Sequence, residues 1–164
     1  MPHNTPTEPL SRAVRYHCKD LSKERPVFLD YAEFGYPPMQ CHVNVAHMVK
    51  KRGGEAVFGW VIWAYQQGKH YVEGEFHCVW RDPATGDLVD VTPRSDGEPR
   101  VLFLPDPARG LERRGDVLVT WSNRTTLKGM RYGLRPTPQY EVNQAHLATQ
   151  LAGMGLTLED VLKQ

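Results

Sequence analysis

Three residues of this chain, Cys41, His77 and Asp90, have the types and order needed for a thiol nucleophile, a general base and a group that orients the base. A thiol near its ordinary pKa of about 8.5 is mostly protonated at neutral pH and needs help to ionise. Pro37-Pro38-Met39-Gln40-Cys41 puts the cysteine at the start of a predicted helix, where unpaired amide hydrogens and the helix dipole favour an anion. An imidazole beside it would take the proton and hold the thiolate as an ion pair.

His77 lies within Glu75-Phe76-His77-Cys78-Val79-Trp80 and Asp90 within Asp87-Leu88-Val89-Asp90-Val91-Thr92-Pro93, the two arms of a predicted hairpin. Between them, Asp82-Pro83-Ala84-Thr85-Gly86-Asp87 is a strong turn signal, since proline presets one dihedral and glycine accepts a positive φ. Residues opposed across antiparallel strands share a face, with Cβ atoms about 4.5–5.5 Å apart. A loop over 82–85 sets His77 opposite Asp90, and a loop over 83–86 shifts the register by two and makes them diagonal neighbours. Either even-length loop keeps both on one face, whereas a three- or five-residue loop without a bulge would separate them. Asp90 also interrupts Leu88-Val89-Asp90-Val91, which otherwise reads as buried strand, where an unpaired carboxylate is costly. His77 as its partner removes that cost and fixes the imidazole tautomer. The plainer alternative is an exposed aspartate on a one-sided edge strand.

The elements that must position these residues follow from periodicity. Residues 1–9, with three prolines, read as a loose arm, and Leu10, Val14, Cys18 and Leu21 form a helical stripe over 11–21. Residues 22–40 read as irregular. A helix from Gln40 to Arg52 buries Cys41, Asn44, Val45, Met48 and Val49 and stops at Gly53-Gly54, while His42, His47 and Lys50 lie elsewhere. The period then changes to two. Val57 to Tyr65 is apolar on both faces and so central, His70 to Trp80 returns beside it, and Asp87–Thr92, Arg100–Leu104 and Asp116–Trp121 supply further strands. Thr137-Pro138 opens a helix to about Gly153, and Thr157 caps a short last one. The sum is one α+β domain over residues 1–164: N-terminal helices packed on an antiparallel sheet of about five strands, a core helix and hairpin over 37–93, and C-terminal helices over 137–164.

Bulk composition agrees with a single globular domain of 164 residues, 40% hydrophobic and 24% charged, with a net charge of +1 that gives no general pull toward nucleic acid or membrane. Nine Lys or Arg against five Asp or Glu over residues 94–135 could favour an acidic partner, or form an ordinary solvated basic face. Cys18, Cys41 and Cys78 are an odd set without a CxxC pair, and no signal peptide precedes them, so a cytoplasmic setting is expected. No apolar run approaches the roughly 20 residues needed to cross a bilayer.

A cysteine at a helix start, a histidine some thirty-five residues later on a strand and an aspartate on the next strand resemble the papain-like superfamily, especially its transglutaminase-like and NlpC/P60-type branches. The likeness covers residues 37–93. It implies a papain-like or transglutaminase-like core, with Cys41 as nucleophile, His77 as base and Asp90 as orienting residue. It also implies hydrolysis, deamidation or acyl transfer at a protein or peptide amide, without a cofactor or metal. Gln40 adjoins Cys41 rather than standing several residues before it, as the oxyanion-hole glutamine of papain does.

Gln40 and Asn44 are candidate supports for an oxyanion, next to the Cys41 amide itself, although Asn44 could equally hydrogen-bond within the helix packing. Trp60, Trp63 and Glu75 are candidate walls of a substrate cleft, or core anchors and a solvated face. Cys78 faces away from His77 by alternation and reads as core. Two rival functions remain at this level. One is a zinc site drawn from Cys41, His77 and one of His42, His47 or Cys78, with Asp90 behind His77; the other is a non-catalytic binding or accessory module.

Overall fold

The computed structural model describes residues 4–127, 130–132 and 139–162. Ser11 caps the first helix, α1 (Arg12–Leu21), by accepting a hydrogen bond from the Val14 amide, and Val14, His17, Cys18 and Leu21 form its buried stripe. Then come β1 (Val27–Asp30), α2 (Cys41–Arg52), β2 (Glu55–Tyr65), a short 3-10 turn, β3 (Tyr71–Arg81), β4 (Leu88–Val89) and β5 (Arg100–Pro105). After these lie β6 (Glu112–Arg114), β7 (Val117–Trp121), β8 (Arg124–Leu127), β9 (Met130–Tyr132), β10 (Gln139–Glu141), α3 (Gln144–Gly153) and α4 (Leu158–Val161).

The main sheet runs β1-β5-β2-β3-β8-β9, with β4 also on β3, and all its strand pairs are antiparallel. β2 is central, as an apolar pattern on both faces demands. One face packs Trp60 and Ile62 under Val14, Cys18 and Leu21 of α1, and the other packs Val61 and Trp63 with Leu29, Val79 and Phe103. Gly59 is required where β5 crosses, because a Cβ there would run into the Leu104 carbonyl and come within 2.7 Å of the Phe103 ring. Gly53 ends α2 with φ 79°, its amide bonding the Val49 carbonyl.

β10, β7 and β6 form a separate three-stranded sheet. Leu111, Leu118, Leu147, Leu151, Leu156 and Val161 from that part of the chain bury against Val43 and Ala46 of α2, so α2 is held between the two sheets. Burial of each such side chain contributes roughly 1.5–3 kcal/mol, which fixes the start of α2 more firmly than its own helix propensity does.

Several expectations need correction. The sheet of about five strands is a seven-stranded sheet plus a three-stranded one, and the strand expected at Asp116–Trp121 belongs to the second. Residues 22–40, expected to be irregular, contain β1, which gains its partners from β5 rather than from any local pattern. The arm is not loose from residue 4 onward, because Asn4 bridges Ala64 and the Thr5 hydroxyl donates to the Arg100 carbonyl. The strand expected over Asp87–Thr92 is cut to two residues. The Asp90 amide donates to the Asp30 carbonyl and the Ala32 amide to the Asp90 carbonyl, so its backbone is committed to the segment leaving β1. The helix expected from Thr137-Pro138 starts instead at Gln144 with Asn143 as its cap, and Gln139–Glu141 is strand; residues 137 and 138 lie outside the described residues. Thr157 and Asp160 form the capping box expected of the last helix.

Candidate active site

β3 has β2 along one side throughout. On its other side it pairs with β8 at Tyr71–Gly74 and with β4 at Trp80–Arg81, which leaves Glu75–Val79 as an open edge among the described residues. Alternation sends His77 and Cys78 to opposite faces, and Cys41 packs near Cys78, Trp80 and Met48. With no neighbouring strand at this edge, groups from both faces can meet there.

The hairpin adopts the loop over 83–86: Asp82 and Asp87 are hydrogen-bonded, Arg81 opposes Leu88 and Trp80 opposes Val89. His77 and Asp90 are therefore diagonal neighbours on one face, and His77 Nε2 lies 3.1 Å from each Asp90 carboxylate oxygen. Asp90 is fully buried and His77 is 6% exposed. An ionised carboxylate only accepts, so Nε2 carries the hydrogen and Nδ1 is left for the sulfur. Burial works against the charged form of His77, but Asp90 and Cys41 outweigh it and raise the imidazole to about 10. Burial likewise opposes a thiolate at Cys41, yet the charges and hydrogen bonds of His42 and His77 bring it well below the usual thiol value. Asp90 is pushed up by burial and more strongly down by His77, the Thr92 amide and Arg94, so it stays ionised. The favoured state is thiolate, imidazolium and carboxylate in a row.

Asn44 ties the two halves together. Its Nδ2 donates to the Pro37 carbonyl at 2.9 Å and to Thr92 Oγ1 at 3.0 Å, its Oδ1 accepts from Gln40 Nε2 at 3.1 Å, and it is fully buried. Thr92 in turn donates its amide to Asp90 Oδ1 at 3.2 Å. The start of α2 is thus pinned to the segment that carries the carboxylate, and Asn44 is a positioning residue with its carboxamide committed to protein partners. Gln40 Nε2 gives one hydrogen to Asn44 and has a second, and Gln40, the residue before Cys41, lines the adjoining cleft.

That cleft, of about 320 Å³, is lined on one side by Gln40, Cys41, His42 and Phe76 and on the other by residues of the second sheet and α3, among them Trp121, Tyr140 and Leu147. The Tyr140 hydroxyl is raised by burial and by the nearby Cys41 charge. Of the two roles weighed for Trp60 and Trp63, cleft wall or core anchor, the structure has the second: both are fully buried, Trp60 donating from Nε1 to Asp106 at 2.9 Å. Alternation along β2 turns both into opposite sides of a covered strand. Glu75 is taken up by Arg94 at 2.8 Å and does not line this cleft.

Two neighbours of the site were not legible beforehand. His42, placed off the buried stripe of α2 and weighed only as a zinc ligand, has Nδ1 3.7 Å from Cys41 Sγ and its ring edge-on to Phe58 and Phe76. Arg94, read only as part of a basic segment, stands behind Asp90 at 3.8 Å, bonds Glu75 and lies over the Trp63 ring. Several described members of the basic segment are engaged within the molecule: Arg109 pairs Asp106, Arg113 pairs Glu159, Arg124 pairs Asp20 and Arg100 covers Phe28. Lys128 and Arg135, which the expected surface for an acidic partner also includes, lie outside the described residues.

All three cysteines are free thiols. Among the described residues no group of three or more His, Cys, Asp or Glu side chains is arranged to hold a metal ion, His47 being bonded to the Tyr36 hydroxyl at 2.8 Å. No helix of the described residues is long and apolar enough to cross a membrane. The chain matches no protein-family model, no curated protein and no solved structure, so its residues and their geometry carry the functional argument by themselves.

Proposed function

We propose that this protein is a cysteine-dependent amide hydrolase or acyltransferase with a papain-like or transglutaminase-like core, acting through a thioester on Cys41. The observation that carries this reading is His77 set between two partners, its Nε2 3.1 Å from both Asp90 oxygens while the Cys41 thiol is held well below its usual value. The Cys41 thiolate attacks the substrate carbonyl carbon, and the Cys41 amide at the open first turn of α2, with the Gln40 carboxamide, receives the developing oxyanion. The His77 imidazolium gives its proton to the leaving amine as the C–N bond breaks. His77 then takes a proton from water or an acceptor amine, which displaces the sulfur and restores thiolate and imidazolium. Asp90 holds the ring in the productive tautomer throughout, and Arg94 and the Thr92 amide hold Asp90.

The test is intact-mass analysis after incubation with electrophilic peptide and ubiquitin-like probes, followed by turnover on the substrates that react. An adduct mapped to Cys41 and lost in Cys41→Ser is expected. Full turnover by Cys41→Ser would refute nucleophilic catalysis by this thiol.

A further inference from the structure

The cleft beside Cys41 has a second wall that the triad leaves without a role. Leu111, Trp121, Tyr140, Val142 and Leu147 face the start of α2 across a space of about 320 Å³, near the lower end of the roughly 300–1,000 Å³ typical of ligand sites. No Asp, Glu, Lys or Arg is among the described residues that line it. Such a wall takes water from an entering charge and offers no carboxylate, ammonium or guanidinium partner in return, whereas an apolar group gains by entering. Neutral polar side chains break the apolar surface, among them Thr120, Asn143, His146 and Gln150. The Thr120 hydroxyl, on a residue 5% exposed, and the Trp121 indole N–H are buried without hydrogen-bond partners, and both residues line the cleft.

We propose that this cleft is the acyl-side subsite of the Cys41 nucleophile, and that it selects a peptide acyl donor whose side chain beside the scissile carbonyl is uncharged and apolar or aromatic. It rests on Cys41 being the nucleophile. The bonds made and broken are those of thioester formation and release: carbon–sulfur forms as carbon–nitrogen breaks, the amine leaves with the His77 proton, and water or an amine then reverses the exchange at sulfur.

Four peptidyl acyloxymethyl ketones, identical except for Leu, Phe, Asp or Lys beside the reactive carbon, test the proposal on the full chain. Labelling rates at Cys41 are read by intact mass and divided by the iodoacetamide rate of the same protein, which measures the thiol without the subsite. The Leu and Phe probes are expected to react at least about ten-fold faster than the Asp and Lys probes. Gln150→Glu, which adds a carboxylate to the lining, is expected to raise the Lys-to-Leu ratio about five-fold or more. Equal rates for the four probes, or no labelling by any of them while iodoacetamide reacts rapidly at Cys41, would overturn the subsite and leave the nucleophile standing. Slow alkylation of Cys41 by iodoacetamide would overturn both.

Discussion

Of the three adjacent histidine–cysteine pairs in the chain, two lie on helices, His17-Cys18 in α1 and Cys41-His42 at the start of α2, and the fold gives them opposite chemistry. Cys18 lies mid-helix, 3% exposed among Val14, Leu21, Trp60 and Ile62, and burial pushes its thiol up to about 12. His17 Nδ1 bonds the Thr126 hydroxyl at 2.8 Å. Cys41 lies at a helix N-terminus, with His42 beside it and His77 reaching it from an open strand edge, and its thiol is driven the other way. Composition is nearly the same in the two places; position on the helix and the reach of a second imidazole decide reactivity.

The contrast breaks if iodoacetamide does not distinguish the thiols. At pH 7 Cys41 is expected to alkylate more than about a hundred-fold faster than Cys18 or Cys78, as mapped by peptide mass, since burial also raises Cys78. Asp90→Asn should lower turnover by about 10²–10⁴ through loss of the oriented base. It should also cost about 3 kcal/mol in urea denaturation, because it leaves a buried imidazole without its charge partner. His42→Phe keeps a ring against Phe58 and Phe76 but removes one of the two imidazoles at the sulfur. Alkylation of Cys41 at pH 6 should then fall about ten-fold and its titration midpoint rise; an unchanged midpoint would assign His42 to packing alone.

The same charges predict a stability profile. His77, raised from 6.5 to about 10, contributes fully below pH 6.5 and loses that contribution as pH rises toward 10. Cys41, lowered from 9.0, contributes fully above pH 9 and loses that contribution as pH falls through its folded value. Between pH 6.5 and 9 the folded pair holds one proton, on His77, and the unfolded pair holds one, on Cys41, so together they impose no slope. Removing the thiol exposes the histidine term. Cys41→Ala should lose up to about 1.4 kcal/mol per pH unit above pH 6.5, measured by denaturant titration, where the parent protein is flat. The smallest effect is on the α1 side. Ser11→Ala should cost about 1 kcal/mol through loss of the helix cap and leave the Cys41 alkylation rate unchanged.

Much of the site's wall was readable from local pattern. The helical stripe of α1, the Pro37-Pro38 and Gly53-Gly54 limits of α2, the double-faced apolar run of β2 and the turn at 82–87 are properties of neighbouring residues, and the structure has them where expected. The even-length loop was enough to put His77 and Asp90 on one face. Which even register holds depends on the Asp82–Asp87 pairing, and the early end of β4 depends on Asp30 and Ala32, some sixty residues upstream. Similarly, nothing near Trp60 or Trp63 says that α1 and the segment around Leu29 will cover both faces of their strand.

By itself the sequence determined the chemical types, the helix that starts at Cys41 and the face shared by His77 and Asp90, because helix caps, turns and strand alternation are set by short-range sterics and hydrogen bonding. Only the tertiary structure decided that His42 and Arg94 join the site and that a second sheet with α3 closes the cleft opposite the thiol. Those contacts link residues far apart in the chain, and their energy comes from burial and charge pairing that exist only once the sheets and helices have packed.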